Sequence, residues 1–538
     1  MDETKLLIPK DNGMTVKLDK TGLRKQSPSH QWVGLTMQEL VEFSSDPFWI
    51  RMRYFCFGVF WCSFIILSVA TGVLVFSAPR CRKPEWWQEG PMYGVFSLDF
   101  RENASTSEEE GLSGIESKLD YIVELGVKTI WLSPIYKSPM IDFGYDIEDF
   151  KEIDARFGTL QDFRDLITSM KARELRLVMD LVPNHSSDQH EWFQKSKAKI
   201  DPYTDYYVWV DPKGFDGDKP IVPNNWLSVF GGSAWEWNED RKQFYLHQFA
   251  KEQPDLNFRN IAVKNEMLDV MRFWLEMGVD GFRMDAIPHL FEDTELKDEP
   301  TVNETMVQRG EYDGLRHVHT YNLPEVFSIM EDFRKALDAY SEQTDKVRKL
   351  LYLKLGNISP YLIQLGNHDH GRMASRYGGD LVDCLNMILL MLPGTAVTYY
   401  GEELGMENTP VSWELTVDPA GLNVGPEYYK EHSRDPERTP MQWSPDKNAG
   451  FSDADSIWLP LHPNYTTVNV ETQRSQLLSH LNVYKSLVRA RSDHSVMYGS
   501  LVTKVFNDSV FAFTRGTTAI EIQAREGIVL TYMPERQD

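Results

Sequence analysis

Between Tyr54 and Ala78 the chain runs for 25 residues without a charge. No other feature narrows its folding possibilities as much. As a helix rising about 1.5 Å per residue, the run would extend roughly 38 Å, enough to cross a hydrocarbon core of about 30 Å. A buried helix of a soluble protein rarely needs so long an uncharged stretch. A cleaved signal peptide fits poorly. The run is preceded by 53 residues, is too long for the apolar part of a signal, and is followed by Pro79 where cleavage would fall. We read residues 54–78 as a single transmembrane helix behind a polar tail, residues 1–53.

Charge at the flanks does not orient this helix. Arg51 and Arg53 lie on one side, and Arg80, Arg82 and Lys83 on the other. Glycosylation triplets are more informative. Asn103, Asn303, Asn357, Asn464 and Asn507 each open an N-x-S/T triplet, and none precedes the apolar run. (Asn184 opens another, within a stretch assigned below to a pocket wall.) The one-sided distribution predicts a cytoplasmic N-terminus and an extracellular body. Ahead of the run, "GLTMQEL" gives Thr36 and Glu39 the spacing of a capping box, which predicts a short helix.

After the run a repeating pattern sets in. "GIESKLDYIVELGVKTIWLSPI" places Ile115, Leu119 and Ile122 on one helical face, ends that helix at Gly126, and continues as an apolar strand. "GTLQDFRDLITSMKARELRLVMDLVP" repeats the scheme with Leu160, Phe163, Leu166, Ile167 and Met170. "NEMLDVMRFWLEMGVDGFRMDAIPH" does so again with Met267, Val270, Met271, Trp274 and Leu275. Helices alternating with short apolar strands predict a parallel sheet. Net charge is -24, which excludes a nucleic-acid surface, since phosphate recognition needs clustered Lys and Arg.

Each strand ends in polar residues. Tyr145 and Asp146 lie in "FGYDIEDF", His185 in "DLVPNHSS", Arg283 and Asp285 in "GFRMDAIPH", and His368 and Asp369 in "LGNHDHGR". A (β/α)8 barrel builds its active site from the C-terminal ends of its strands. An open doubly wound sheet is the rival, but no glycine-rich phosphate loop follows the first strand. The fold class expected is therefore α/β, a TIM barrel over residues 79–490. Arg283 and Asp285, two apart on a strand, point to one face, so the guanidinium can hold the carboxylate ionised. For any single residue a surface ion pair is the plainer account, but the set at consecutive strand ends argues for a site.

"DLVPNHSS", "QPDLNFRN", "GFRMDAIPH", "LGNHDHGR" and "PGTAVTYYGEELGM" resemble, in order, the signature regions of the α-amylase superfamily (glycoside hydrolase family 13), and its α-glucosidase and maltase branch most. The resemblance spans about residues 84–515. It implies Asp285 as nucleophile, Arg283 as its partner, Asp369 as transition-state stabiliser, and Tyr145, Asp146, His185 and His368 as contacts to an oligosaccharide. A retaining glycosidase also needs an acid/base carboxylate, in this family a Glu at the end of the fifth strand. Lys354 and Leu355 stand there, and no Asp or Glu lies between Asp345 and Asp369. The interval from Asp285 to His368 is also too short for every strand and helix of a full barrel. The barrel is therefore expected to be incomplete around strands 5 and 6. The first loop, "ENASTSEEEGLSG", lacks the calcium spacing of the maltase-like relatives, so neither metal nor cofactor is expected. The C-terminal β-domain, residues 491–538, is expected to be truncated to "SLVTKVFNDSVFAFTR" and "EGIVLTYMPE".

The N-terminal third resembles another branch of that superfamily, the rBAT-like heavy chains of heteromeric amino-acid transporters. The residues that carry this are "GLTMQEL", "DPFWIRMRYF", "APRC" and "WWQEGPMY". The resemblance implies that Cys81, directly after the anchor, forms a disulfide with a polytopic light chain. An idle thiol or a homodimer bond are the alternatives for Cys81. Two functions are thus expected to compete: a heavy, ancillary transporter subunit, or a membrane-anchored α-glucosidase.

Overall fold

The computed structural model describes residues 35–77, 85–100, 111–344, 350–353, 362–507, 510–516 and 527–529. It divides into two compact units, Met1–Arg82 and Lys83–Asp538.

In the first unit a nine-residue helix, α1 (Met37–Ser45), precedes a 31-residue helix, α2 (Pro47–Ser77). The helix begins seven residues before the uncharged run, because proline is well suited to the first helical position and carries the helix through "FWIRMR". Its large apolar side chains are exposed, Phe55, Ile66 and Leu67 among them. An exposed helix that is apolar on every side suits a lipid solvent, where its backbone groups are satisfied internally. Among the described residues it is the one helix long and apolar enough to span a bilayer.

The second unit is organised around a parallel sheet. Its strands are β1 (Met92–Val95), β2 (Thr129–Leu132), β3 (Arg176–Leu181), β4 (Gly281–Met284), β5 (Leu350–Leu353), β6 (Leu362–Gln364) and β7 (Thr395–Tyr399). The order is β5-β4-β3-β2-β1-β7-β6. From β1 to β5, and again from β6 to β7, neighbours in sequence are neighbours in space, and β7 returns to β1, as in a TIM barrel. The ring does not close among the described residues: β5 and β6 are the two ends of the sheet. Seven described strands stand where the barrel type has eight, which agrees with the shortened interval between Asp285 and His368.

Burial explains why these segments form these elements. The helix Leu160–Ala172 buries Phe163, Leu166, Ile167 and Met170. The helix Ile261–Met277 buries Met267, Val270, Met271, Trp274 and Leu275, and Gly278 closes it at φ 107°, a left-handed conformation suited to glycine. The first expected helix is split in two, Gly111–Ser117 and Leu119–Glu124, by Lys118 at φ -108° and ψ 4°. Ile115, Leu119 and Ile122 are nevertheless all buried. Gly94 on β1 lies so close to β2 that a Cβ there would stand 2.8 Å from the Trp131 ring. At the C-terminus, Ser500–Asn507, Val510–Gly516 and Gly527–Val529 form a three-stranded antiparallel sheet.

Candidate functional site

Register places the first site residues. Asp180 on β3 pairs with Arg283 on β4, so their side chains leave the same face of the sheet. Arg283 Nη1 lies 2.7 Å from Asp180 Oδ1 and 2.7 Å from Asp285 Oδ1. Burial acts against the charge on this guanidinium, but Asp180 and Asp285 outweigh it and hold the pKa well above its ordinary value. Burial pushes Asp180 up to about 7, against the pull of Arg283. Directly after Asp285, Ala286 sits at φ 51°, in the left-handed region. That costs a non-glycine residue about 1 kcal/mol and persists where the surroundings over-determine the backbone. Here the Asp285 N–H donates to Leu181 O at 2.8 Å while Arg283 clamps the carboxylate.

Above these strand ends lies a cavity of about 430 Å³. Tyr145, His185, Asp285, His368 and Asp369, all expected from the sequence, line it. The Tyr145 hydroxyl donates to Asp180 Oδ2 at 2.8 Å and lies 2.9 Å from His368 Nε2. The His368 ring is stacked against Tyr145 and Phe96. Burial lowers His185 to about 3, so the imidazole is neutral; its Nε2 lies 3.1 Å from Gln253 Nε2. Arg283 stands behind the wall and positions Asp285.

Asp146 departs from the expectation. It is fully buried and does not line the cavity. Its carboxylate accepts from the Ile141 N–H at 2.8 Å, the Asp142 N–H at 2.9 Å and the Ser138 hydroxyl at 3.0 Å. It shapes the loop, with burial raising its pKa to about 6. The carboxylate that this loop presents to the cavity is Asp142, four residues earlier. Asp142 Oδ1 meets Arg434 Nη2 at 2.9 Å, and its Oδ2 accepts from Gln253 at 3.1 Å.

Arg434 was not foreseen. It joins Asp142, Asp369 at 3.3 Å and Asp418 at 2.6 Å. Burial disfavours its charge, but the Asp418 and Asp142 carboxylates outweigh that and raise its pKa well above the ordinary value. Arg438 adds a second cation 3.2 Å from Asp369. The signal available for Asp142 was its place in "IDFGYD". For Arg434 it was only the pair of arginines in "SRDPER", with nothing local to aim them at strand ends far away in the chain.

The lining carboxylates are Asp142, Asp285, Asp369 and Glu431. Glu431 is exposed, in the short helix Tyr429–His432, and Asp142 and Asp369 are ion-paired. Lys354 and Leu355, at the acid/base position, lie outside the described residues, as do the loop stretch 101–110, Cys81, Asn103 and Asn357. Asn303 is exposed and caps the helix Glu304–Gln308. Asn464 is half-buried, and its Nδ2 donates to Glu407 at 3.1 Å. Asn507 ends its strand.

A parallel barrel-type sheet with a clamped Asp and a second Asp at its C-terminal strand ends defines the class: an α/β-barrel protein on a glycosidase scaffold. Residues 95–353 and 354–499 match the family profile "Alpha amylase, catalytic domain", and the chain belongs to the alpha-amylase family. Residues 20–93 match a second profile, "Solute carrier family 3 member 2 N-terminus". Maltase 1 of Drosophila virilis is 43% identical over 80% of this chain and 76% of its own. The human amino acid transporter heavy chain SLC3A1 is 36% identical over 91% of this chain and 77% of its own. Among solved structures, the alpha-glucosyl transfer enzyme XgtA aligns with a TM-score of 0.72 at 32% identity, covering 81% of this chain and 90% of that one. The isomaltulose synthase of Erwinia rhapontici NX5 aligns with a TM-score of 0.70 at 30% identity, covering 81% and 89%.

Proposed function

We propose that this chain is the heavy subunit of a heteromeric amino-acid transporter. It is held in the plasma membrane by α2, with the barrel unit extracellular, and linked through Cys81 to a polytopic light chain whose surface expression it supports. One observation carries the reading. A single chain joins a solute-carrier N-terminal segment, including an apolar helix of spanning length, to an alpha-amylase domain. An enzyme of that family needs no such segment. The amylase part also lacks what catalysis needs, since no Asp or Glu lies between Asp345 and Asp369 to supply the fifth-strand acid.

Gels of membranes run with and without reductant test it. A heavier band that collapses on reduction and is missing from Cys81→Ser supports the reading. Migration of the chain alone under both conditions contradicts it.

A second reading, a membrane-anchored α-glucosidase, is favoured by the convergence of Asp285, Asp369, His185 and His368 on one cavity and by the maltase relatives. Maltose hydrolysis at the rate of an ordinary maltase, abolished by Asp285→Asn, would establish it.

A further inference from the structure

The stretch "GLTMQEL" plays no part in the cavity, yet it folds as a defined element. In α1 the Glu39 carboxylate accepts from the Thr36 N–H at 2.8 Å, and the Thr36 hydroxyl oxygen accepts from the Glu39 N–H at 3.4 Å. Both halves of a capping box are therefore made. The other end is closed from α2. Arg53 Nη2 donates to Phe43 O at 3.2 Å and to Ser44 O at 2.9 Å, filling carbonyls that a helix terminus leaves open. At the bend between the helices, Phe43, Phe48 and Trp49 meet edge to face, with centroids 6.0 and 5.3 Å apart. Helices α1 and α2 thus form a fixed elbow.

The faces of α1 are sharply divided. Met37, Leu40, Val41 and Ser44 follow the i, i+3, i+4, i+7 spacing of one stripe, and Glu39 and Glu42 fall on the opposite side. The stripe is bare: Met37 is 79%, Leu40 52% and Val41 58% exposed. Arg51 and Arg53 are the last charges before the uncharged run begins at Tyr54. In a membrane, charges at that boundary settle at the head groups, with aromatic residues beside them. Because Arg53 holds the end of α1, α1 leaves the elbow at that same depth.

We propose that α1 lies flat in the head-group layer of the membrane that α2 crosses. Its Met37–Leu40–Val41 stripe faces the acyl chains, Glu39 and Glu42 face water, and Phe43, Phe48 and Trp49 sit at the interface. The proposal rests on α2 being the anchor. A helix running out into water at this depth would leave the stripe unburied; one lying flat buries it while keeping both carboxylates hydrated. Helix α1 carries no Lys or Arg, so apolar burial, not attraction to anionic lipid, holds it, and a zwitterionic surface suffices.

The full chain in phosphatidylcholine nanodiscs, doped with a phosphatidylcholine carrying a diazirine on its acyl chain, tests this by mapping photo-adducts with mass spectrometry. Adducts are expected within 37–44 as well as within 54–74. The Leu40→Glu/Val41→Glu variant loses the first group and keeps the second. Wild-type adducts confined to 54–74 overturn the proposal, as does labelling of 37–44 that arises only after a second protein is added. Absence of adducts in 54–74 overturns the anchor reading and the proposal with it.

Discussion

Arg434 Nη2 lies 2.9 Å from Asp142 Oδ1, joining two cavity-lining residues 292 positions apart in the chain. The same guanidinium reaches Asp418 and Asp369, so one cation serves three carboxylates drawn from separate loops. Two of these, Asp142 and Asp418, are almost wholly buried.

Replacing Arg434 by Met leaves these carboxylates buried without their partner. Breaking a buried pair from one side costs about 3–5 kcal/mol. Denaturant unfolding of the full chain in detergent should show a loss of that order. Arg434→Lys should recover little, because a point charge cannot reproduce the fork that meets Asp418 and Asp142 together. A loss below about 1 kcal/mol, the range of exposed pairs, would contradict this account.

The site should retain half of a glycosidase's chemistry. Under the resemblance to glycosidases, Asp285 would be the nucleophile held by Arg283, and the sequence has no Asp or Glu between Asp345 and Asp369 to act as proton donor. A missing general acid lowers rate by about 10²–10⁴ where the leaving group needs a proton. Maltose should therefore be turned over at least that much more slowly than by an intact maltase. An α-glucosyl fluoride, whose leaving group needs no proton, should leave a hexose adduct on Asp285 visible by peptide mass mapping. No adduct on the wild type, or one that persists in Asp285→Asn, would count against the site.

His190 reports on acid. Its Nδ1 accepts from the Trp192 N–H at 3.0 Å at the start of the helix Glu191–Lys197, so the ring must stay neutral there. Burial lowers its pKa from 6.5 to about 4. A base whose folded pKa is depressed stabilises fully above the unfolded value and loses that contribution as pH falls toward the folded one. The stability gap between wild type and His190→Asn, a capping residue without this titration, should shrink from pH 6.5 downward. The slope should approach about 1.4 kcal/mol per pH unit. A gap independent of pH between 7 and 5 would refute it.

Gly94 admits no side chain. A Cβ there would stand 2.8 Å from the ring of Trp131, whose Nε1 donates to Asp180 at 3.3 Å. Gly94→Ala should cost about 1–3 kcal/mol by overpacking. It should also alter the near-ultraviolet circular dichroism as the indole shifts. An unchanged unfolding midpoint would show that the sheet relaxes freely.

Much of the fold was legible in the chain. The stripes on Leu160–Ala172 and Ile261–Met277, and the strands after them, follow from side-chain period alone, a property of a dozen consecutive residues. The break at Lys118 was not legible, because the apolar spacing of Ile115, Leu119 and Ile122 continues across it. Of the residues expected at the site, Tyr145, His185, Asp285, His368 and Asp369 line the cavity, and Asp146 does not; it lies beside Tyr145 in a loop, where spacing along the chain does not say which side chain faces inward.

By itself the sequence determined what depends on neighbours along the chain: an uncharged run of spanning length, alternating helices and strands, and carboxylates at strand ends. The tertiary structure decided which carboxylate faces the cavity and which cation meets it. Asp146 turned inward because the amides of Ile141 and Asp142 captured it, and Asp142 turned outward toward an arginine 292 residues away. The physical reason is range. Hydrophobic periodicity is written into local order, whereas the pairing of buried charges depends on which loops the packed sheet brings together.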